Sequence, residues 1–167
     1  MPVEISQMVD RYHSRLVRYL IYLTGRRDQA DDLVQETWVR ALARADQYDG
    51  RSRFEGWLFA IARNLAMDGL RRRQRESPDE PDVALPAPAR ESPFLAAARG
   101  QDAMRVAKAL GRLEPIYREA LLLRFQEDLS LQEIAGIVGA PVSTVSSRIY
   151  RGLELMRSHW KGGANAI

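Results

Sequence analysis

Read for polarity alone, the first 75 residues carry three apolar stripes of helical period. Between Val3 and Thr24, residues Ile5, Met8, Val9, Tyr12, Leu16, Tyr19, Leu20 and Leu23 share one side, and Gly25 ends the run. The second stripe predicts a helix capped by Asp28 and extending to Ala45. Leu33, Val34, Thr37, Trp38, Ala41 and Leu42 form its core side, and Asp31, Asp32, Gln35, Glu36 and Arg40 its wet side. Asp46 to Arg51 reads as a loop with turn chemistry at Asp49-Gly50. Ser52 and Glu55 have the spacing of a capping box, opening a long helix through Phe54, Trp57, Leu58, Ile61, Leu65 and Leu70 to the cluster Arg71-Arg72-Arg73-Gln74-Arg75. Three amphipathic helices with short connections predict a small bundle.

The pattern then stops. From Glu76 to Pro93 the chain holds five prolines, five acids and few large apolar residues, the composition of a flexible linker. Helical period resumes from Phe94 through Leu110, and a further helix starts at Pro115, a residue suited to a first helical turn. Ile116, Ala120, Leu121, Leu123 and Phe125 are the residues expected to pack it onto the last two helices of the chain. The pattern predicts an all-α protein with two small helical domains: a three- to four-helix bundle over residues 1–75, a Pro-rich acidic linker over 76–93, and a second domain over 94–162.

The stretch Ser130 to Arg157 is the most specific. Ser130 and Glu133 form a second capping box, opening a short helix whose apolar side is Ile134, Ala135, Ile137 and Val138. Gly139-Ala140-Pro141 stops it, because glycine tolerates a left-handed cap and proline cannot continue a helix. From Ser143 a second helix runs with Val145, Ile149, Leu153 and Met156 as its buried stripe. Ser143, Thr144, Ser147, Arg148, Arg151 and Arg157 lie on its other faces, against one acid, Glu154. A helix, a tight turn with glycine and a second helix with a basic outer face is the arrangement that lays its second helix in a DNA major groove.

Charge sharpens this picture and composition bounds it. Residues 1–75 hold 14 basic and 10 acidic side chains, 76–103 hold 2 and 6, and 104–167 hold 9 and 6, so two basic bodies flank an acidic tether. Only Lys108 and Lys161 are lysines; the other basic residues are arginines, whose planar fork suits phosphates and guanine edges. With no cysteine, a disulfide scaffold and thiolate metal sites are excluded. No apolar run reaches the length of a membrane span, and the N-terminus lacks the plan of a signal peptide, so a cytoplasmic protein without membrane insertion is expected. His13 and His159 are the only histidines, and no phosphate loop or paired-carboxylate signature occurs. Neither an enzyme, a cofactor nor a metal is expected.

In order, the stretches DDLVQETWVRAL, FEGWLFAIARNLAMDGLRRRQR, LEPIYREALLLRF and LSLQEIAGIVGAPVSTVSSRIYRGLELMR resemble the extracytoplasmic-function (group 4) sigma factors of the bacterial sigma-70 family, which keep two helical domains called regions two and four. The resemblance covers nearly the whole chain outside the linker and termini. It implies a factor that binds core RNA polymerase and directs promoter-specific initiation, under the control of an anti-sigma factor. Asp31, Asp32, Gln35, Glu36 and Arg40 would meet the polymerase clamp helices. The loop Gln47 to Arg53 and Asn64 would capture a base turned out of the melted minus-ten strand, with Tyr48 stacking and Arg53, Arg63, Arg71, Arg72 and Arg73 meeting phosphates.

Ser143 and Thr144, with Ser146, Ser147, Arg148, Tyr150 and Arg151, would meet the minus-thirty-five duplex. The sequence departs from the family at Ser146, where several relatives place arginine, and at Leu113-Glu114-Pro115, where the family has Leu-Pro. The rival reading is a conventional helix-turn-helix regulator without sigma activity, which would bind duplex tightly without polymerase and carry a ligand-sensing or dimerising first domain.

Overall fold

The computed structural model describes the backbone of residues 2–48, 50, 53–76 and 101–164, and the side chains of 6–48, 50, 53–76 and 104–160. The expected linker beyond Glu76, the start of the helix at Phe94, and Asp49, Arg51 and Ser52 lie outside the described residues. The chain falls into two compact units, Met1–Pro86 and Ala87–Ile167. All regular structure among the described residues is helical. None of these helices is long and apolar enough to cross a membrane.

In the first unit, α1 (Pro2–Thr24), α2 (Arg27–Ala43) and α3 (Phe54–Glu76) pack against one another pairwise. The core is Tyr12, Leu16, Tyr19, Leu20 and Tyr22 of α1, Ala30, Val34, Thr37 and Ala41 of α2, and Leu58, Phe59, Ile61, Ala62, Leu65 and Ala66 of α3. Thr37 is fully buried because its hydroxyl donates to the Leu33 carbonyl at 2.6 Å, which satisfies it within its own helix.

Several elements of this unit differ from the sequence expectation. Asp28 does not cap α2. Arg26 takes the cap position, where its N–H donates to Thr24 Oγ1 at 3.1 Å, and Asp28 sits in the first turn, where its charge suits the helix dipole. The helix ends at Ala43, and a 3-10 turn over Ala45–Gln47 follows. Leu42, expected in the core, is 49% exposed. Glu55 accepts from Tyr12 Oη at 3.2 Å and from Arg15 at 3.3 Å, so its carboxylate ties α3 to α1.

In the second unit, α4 (Gln101–Gly111), α5 (Pro115–Leu121), α6 (Leu131–Val138) and α7 (Val142–Ala164) are built around α7, against which the other three all pack. Pro115 opens α5 as expected. The chain runs on from α5 through a π turn, Leu122–Gln126, closed by the Glu127 N–H donating to the Leu122 carbonyl. That extra residue per turn rotates the helix, burying Leu122, Leu123 and Gln126 while Phe125 is left 40% exposed. Ile116 is likewise 40% exposed, so neither it nor Phe125 is the packing residue the period suggested.

Candidate nucleic-acid and polymerase interfaces

The helix-turn-helix forms as its sequence dictates. Ser130 Oγ accepts from the Glu133 N–H at 3.1 Å, and Glu133 Oε1 accepts from the Ser130 N–H at 3.3 Å, completing the capping box. Gly139 closes α6 at φ 68°, a left-handed value that a side chain resists. Two arginines are drawn into holding this unit together. Arg118 donates to the Leu110 and Leu113 carbonyls at 3.2 and 2.9 Å, and Arg124 to the Leu129 carbonyl at 2.9 Å.

On α7, successive side chains advance by about 100°. Val145, Ile149 and Gly152 are buried and fall in one sector, with Met156 half-buried beside them; Leu153, assigned to this stripe by its spacing, is 43% exposed. The close approach is made by Gly152, where a Cβ would stand 3.1 Å from Leu121 Cγ and Cδ1. The sequence carried no signal for this beyond a glycine in mid-helix.

The opposite sector is open. Ser143, Ser147, Tyr150 and Glu154 form its crest, flanked by Ser146 and Arg151, all exposed, with Tyr150 at 69%. Ser147 Oγ donates to the Ser143 carbonyl at 3.0 Å, and Arg151 pairs with Glu154 at 3.2 Å across exposed surface. Arg148 and Thr144 stand together on one shoulder, half-buried. Helical geometry therefore brings all seven expected duplex-facing residues to the non-core side, but at two heights.

In the first unit, Trp57, Asn64 and Arg71 are seven apart and drift by only about 20° per step, so they line one face of α3. Asn64 and Arg71 are exposed, and Arg71 lies 3.5 Å from Asp68. At the Trp57 end of this row sits an aromatic cluster. The Tyr48 ring is edge-on to Phe54 at 5.7 Å and 5.3 Å from Trp57, and Phe54 is 5.7 Å from Tyr12. Phe54 and Trp57, which the apolar period of this helix groups with Leu58 and Ile61, are half-buried, so Tyr48 is one member of a three-ring surface. Arg53 and Arg72 are exposed and Arg63 is half-buried. Arg73 points elsewhere: its guanidinium donates to Gln29 of α2.

On α2, Asp31, Asp32, Gln35 and Glu36 are all exposed, and Arg40 pairs with Glu36 at 3.2 Å. Val39, at 60% exposure, and Leu42 extend this face as an apolar pair that sequence reasoning did not assign. The signal was present: Val39 lies one turn from Gln35, on the wet side. Among the described residues, no three His, Cys, Asp or Glu side chains come together as a metal site.

Comparison with known proteins matches residues 8–76 to the model for sigma-70 region 2 and residues 103–156 to that for sigma-70 region 4. The ECF RNA polymerase sigma factor EcfG of Rhodopseudomonas palustris is 38% identical over 80% of this chain and 72% of its own length. SigW of Bacillus subtilis is 30% identical over 91% of this chain and 86% of its own length. SigE of Mycolicibacterium smegmatis is 35% identical over 92% of this chain, which spans 60% of that relative. Among solved structures, the sigma factor RpoE from Bartonella quintana, crystallised with the anti-sigma factor NepR, superimposes with a TM-score of 0.80 at 28% identity, covering 95% of this chain and 97% of that one. CnrH, solved with the cytosolic domain of CnrY, gives 0.69 at 25% identity over 97% and 90%. With both regions matched in order and relatives this similar along most of their length, the chain belongs to the extracytoplasmic-function sigma factors of the sigma-70 family.

Proposed function

We propose that this chain binds core RNA polymerase and directs initiation at promoters that it recognises at two elements. It acts in the cytoplasm, by binding and not by catalysis. The observation that carries this reading is the division of α7 into a buried sector at Val145, Ile149 and Gly152 and an open polar sector at Ser143, Ser147, Tyr150 and Arg151. A duplex reader needs such a helix, docked on its core and free on its outer side.

In this reading Ser143, Thr144 and Arg148 hold phosphates while Ser146, Ser147, Tyr150 and Arg151 face base edges of the minus-thirty-five element. In the first unit, Asn64 offers donor and acceptor to an unstacked base of the minus-ten strand. The rings of Tyr48 and Trp57 stack on its neighbours, and Arg53, Arg63, Arg71 and Arg72 neutralise phosphates. Arg73, engaged by Gln29, supports the bundle. The α2 face of Asp31, Asp32, Gln35 and Glu36, with the apolar pair Val39 and Leu42, docks on polymerase. Control by an anti-sigma factor is supported by the likeness to RpoE and CnrH, each solved with its own partner.

The test is transcription in vitro from a promoter library, with core polymerase alone and with core plus this protein. Specific initiation only with the protein is the expected result. Asn64→Ala then loses selectivity at the melted element, and Arg151→Ala weakens the upstream contact by about 1 to 3 kcal/mol. Tight duplex binding without polymerase, and no initiation with it, would instead support the conventional regulator.

A further inference from the structure

α4, the turn after it and the last turns of α7 enclose a groove of about 220 Å³ lined by Arg105, Lys108, Ala109, Arg112, His159 and Trp160. Arg105, Lys108 and Arg112 follow at spacings of three and four and so share one face. Lys108 and Arg112 are exposed and Arg105 is at the groove wall, and among the described residues no carboxylate lines the groove or pairs with Lys108 or Arg112. The Arg105 guanidinium lies 5.8 Å from the centre of the Trp160 ring, which is 40% exposed.

This surface is distinct from the open sector of α7. His159 lies roughly 24 Å along the helix from Ser143 and roughly 13 Å from Tyr150 at 1.5 Å per residue. At about 100° per residue, His159 and Trp160 also face well away from the crest of Ser143, Ser147 and Tyr150. A duplex lying on that crest therefore addresses a different side of α7 from the groove. Three like charges gathered in a concavity that no described acid lines repel one another until an anion enters, and guanidinium groups favour phosphate oxygens. Trp160 adds what a simple anion does not need, a ring on which a base can stack.

We infer that the groove binds a nucleoside phosphate, with its phosphates on Arg105, Lys108 and Arg112 and its base against Trp160. Such binding is separate from the polymerase and promoter roles and is tested without either, so its failure leaves them standing. The full chain is dialysed against ATP, GTP, inorganic phosphate and poly-glutamate in separate experiments. Saturable nucleotide binding is expected, weakened roughly tenfold by Lys108→Gln and again by Arg112→Gln, and unchanged by Arg44→Gln in the other unit. Trp160→Leu weakens the nucleotide but not inorganic phosphate. Because Lys108 and Arg112 are exposed, their variants should fold, which circular dichroism checks. The assignment is overturned if neither nucleotide binds saturably, if Lys108→Gln and Arg112→Gln bind as wild type does, or if inorganic phosphate or poly-glutamate binds as tightly as the nucleotides. It is also overturned if promoter duplex displaces the nucleotide in direct competition.

Discussion

Single residues in this chain take their meaning from what stands opposite them. Gly152 and Gly136 both lie inside helices, yet a Cβ at Gly152 would press on the fully buried Leu121, whereas at Gly136 nothing lies within 4 Å. Gly136→Ala should therefore stabilise the second unit by up to about 1 kcal/mol through helix propensity, while Gly152→Val should cost about 1 to 3 kcal/mol by overpacking. Urea melts of the two variants read both effects. The phenols of Tyr22 and Tyr12 are held above their ordinary value of 10.0, Tyr22 by burial and Tyr12 by burial and then the Glu55 carboxylate. Above about pH 10 the unfolded chain releases these protons while the folded one keeps them. The unfolded state then binds fewer protons, and stability falls as pH rises. Full stability is present below that value, and Tyr22→Phe should flatten the alkaline loss measured by thermal melts between pH 8 and about 11.

At the level of the element, capping and face identity decide different things. Ser130→Ala removes the acceptor of the Glu133 N–H and should cost about 1 kcal/mol, seen as a lower melting temperature of the second unit. The outer face of α2 makes the opposite case. Val39 and Leu42 are exposed, so Val39→Asp with Leu42→Asp should leave the melting temperature nearly unchanged and weaken association with core polymerase, measured by co-elution. Elements bounded by glycine, proline and capping residues were legible from the sequence, as α6 and the start of α5 illustrate. The π turn at Leu122–Gln126 was not, because a one-residue slip in helical phase leaves composition and approximate period intact and changes only which side chains are buried. The same slip turns Phe125 away from the core side that its spacing predicts.

Across the whole molecule, the formal net charge of +3 hides two basic units joined through an acidic stretch. Promoter binding by the polymerase complex should weaken steeply with salt. Replacing an arginine proposed to hold phosphate, such as Arg148, by alanine should lower the slope of log affinity against log salt by about 1, read from titrations at several salt concentrations. Sequence by itself determined the helices, the Ser130 and Gly139 caps of α6, the division into two bodies of like charge and the family motifs, because these are set by local period, turn chemistry and composition. Which member of each stripe is buried, that Gly152 is the contact point of α7, that Arg73 turns to Gln29, and that Arg105, Lys108 and Arg112 share a groove with Trp160 were decided only by tertiary structure. Those facts depend on which helix faces which, and a chain read one residue at a time does not contain the packing partner across the core.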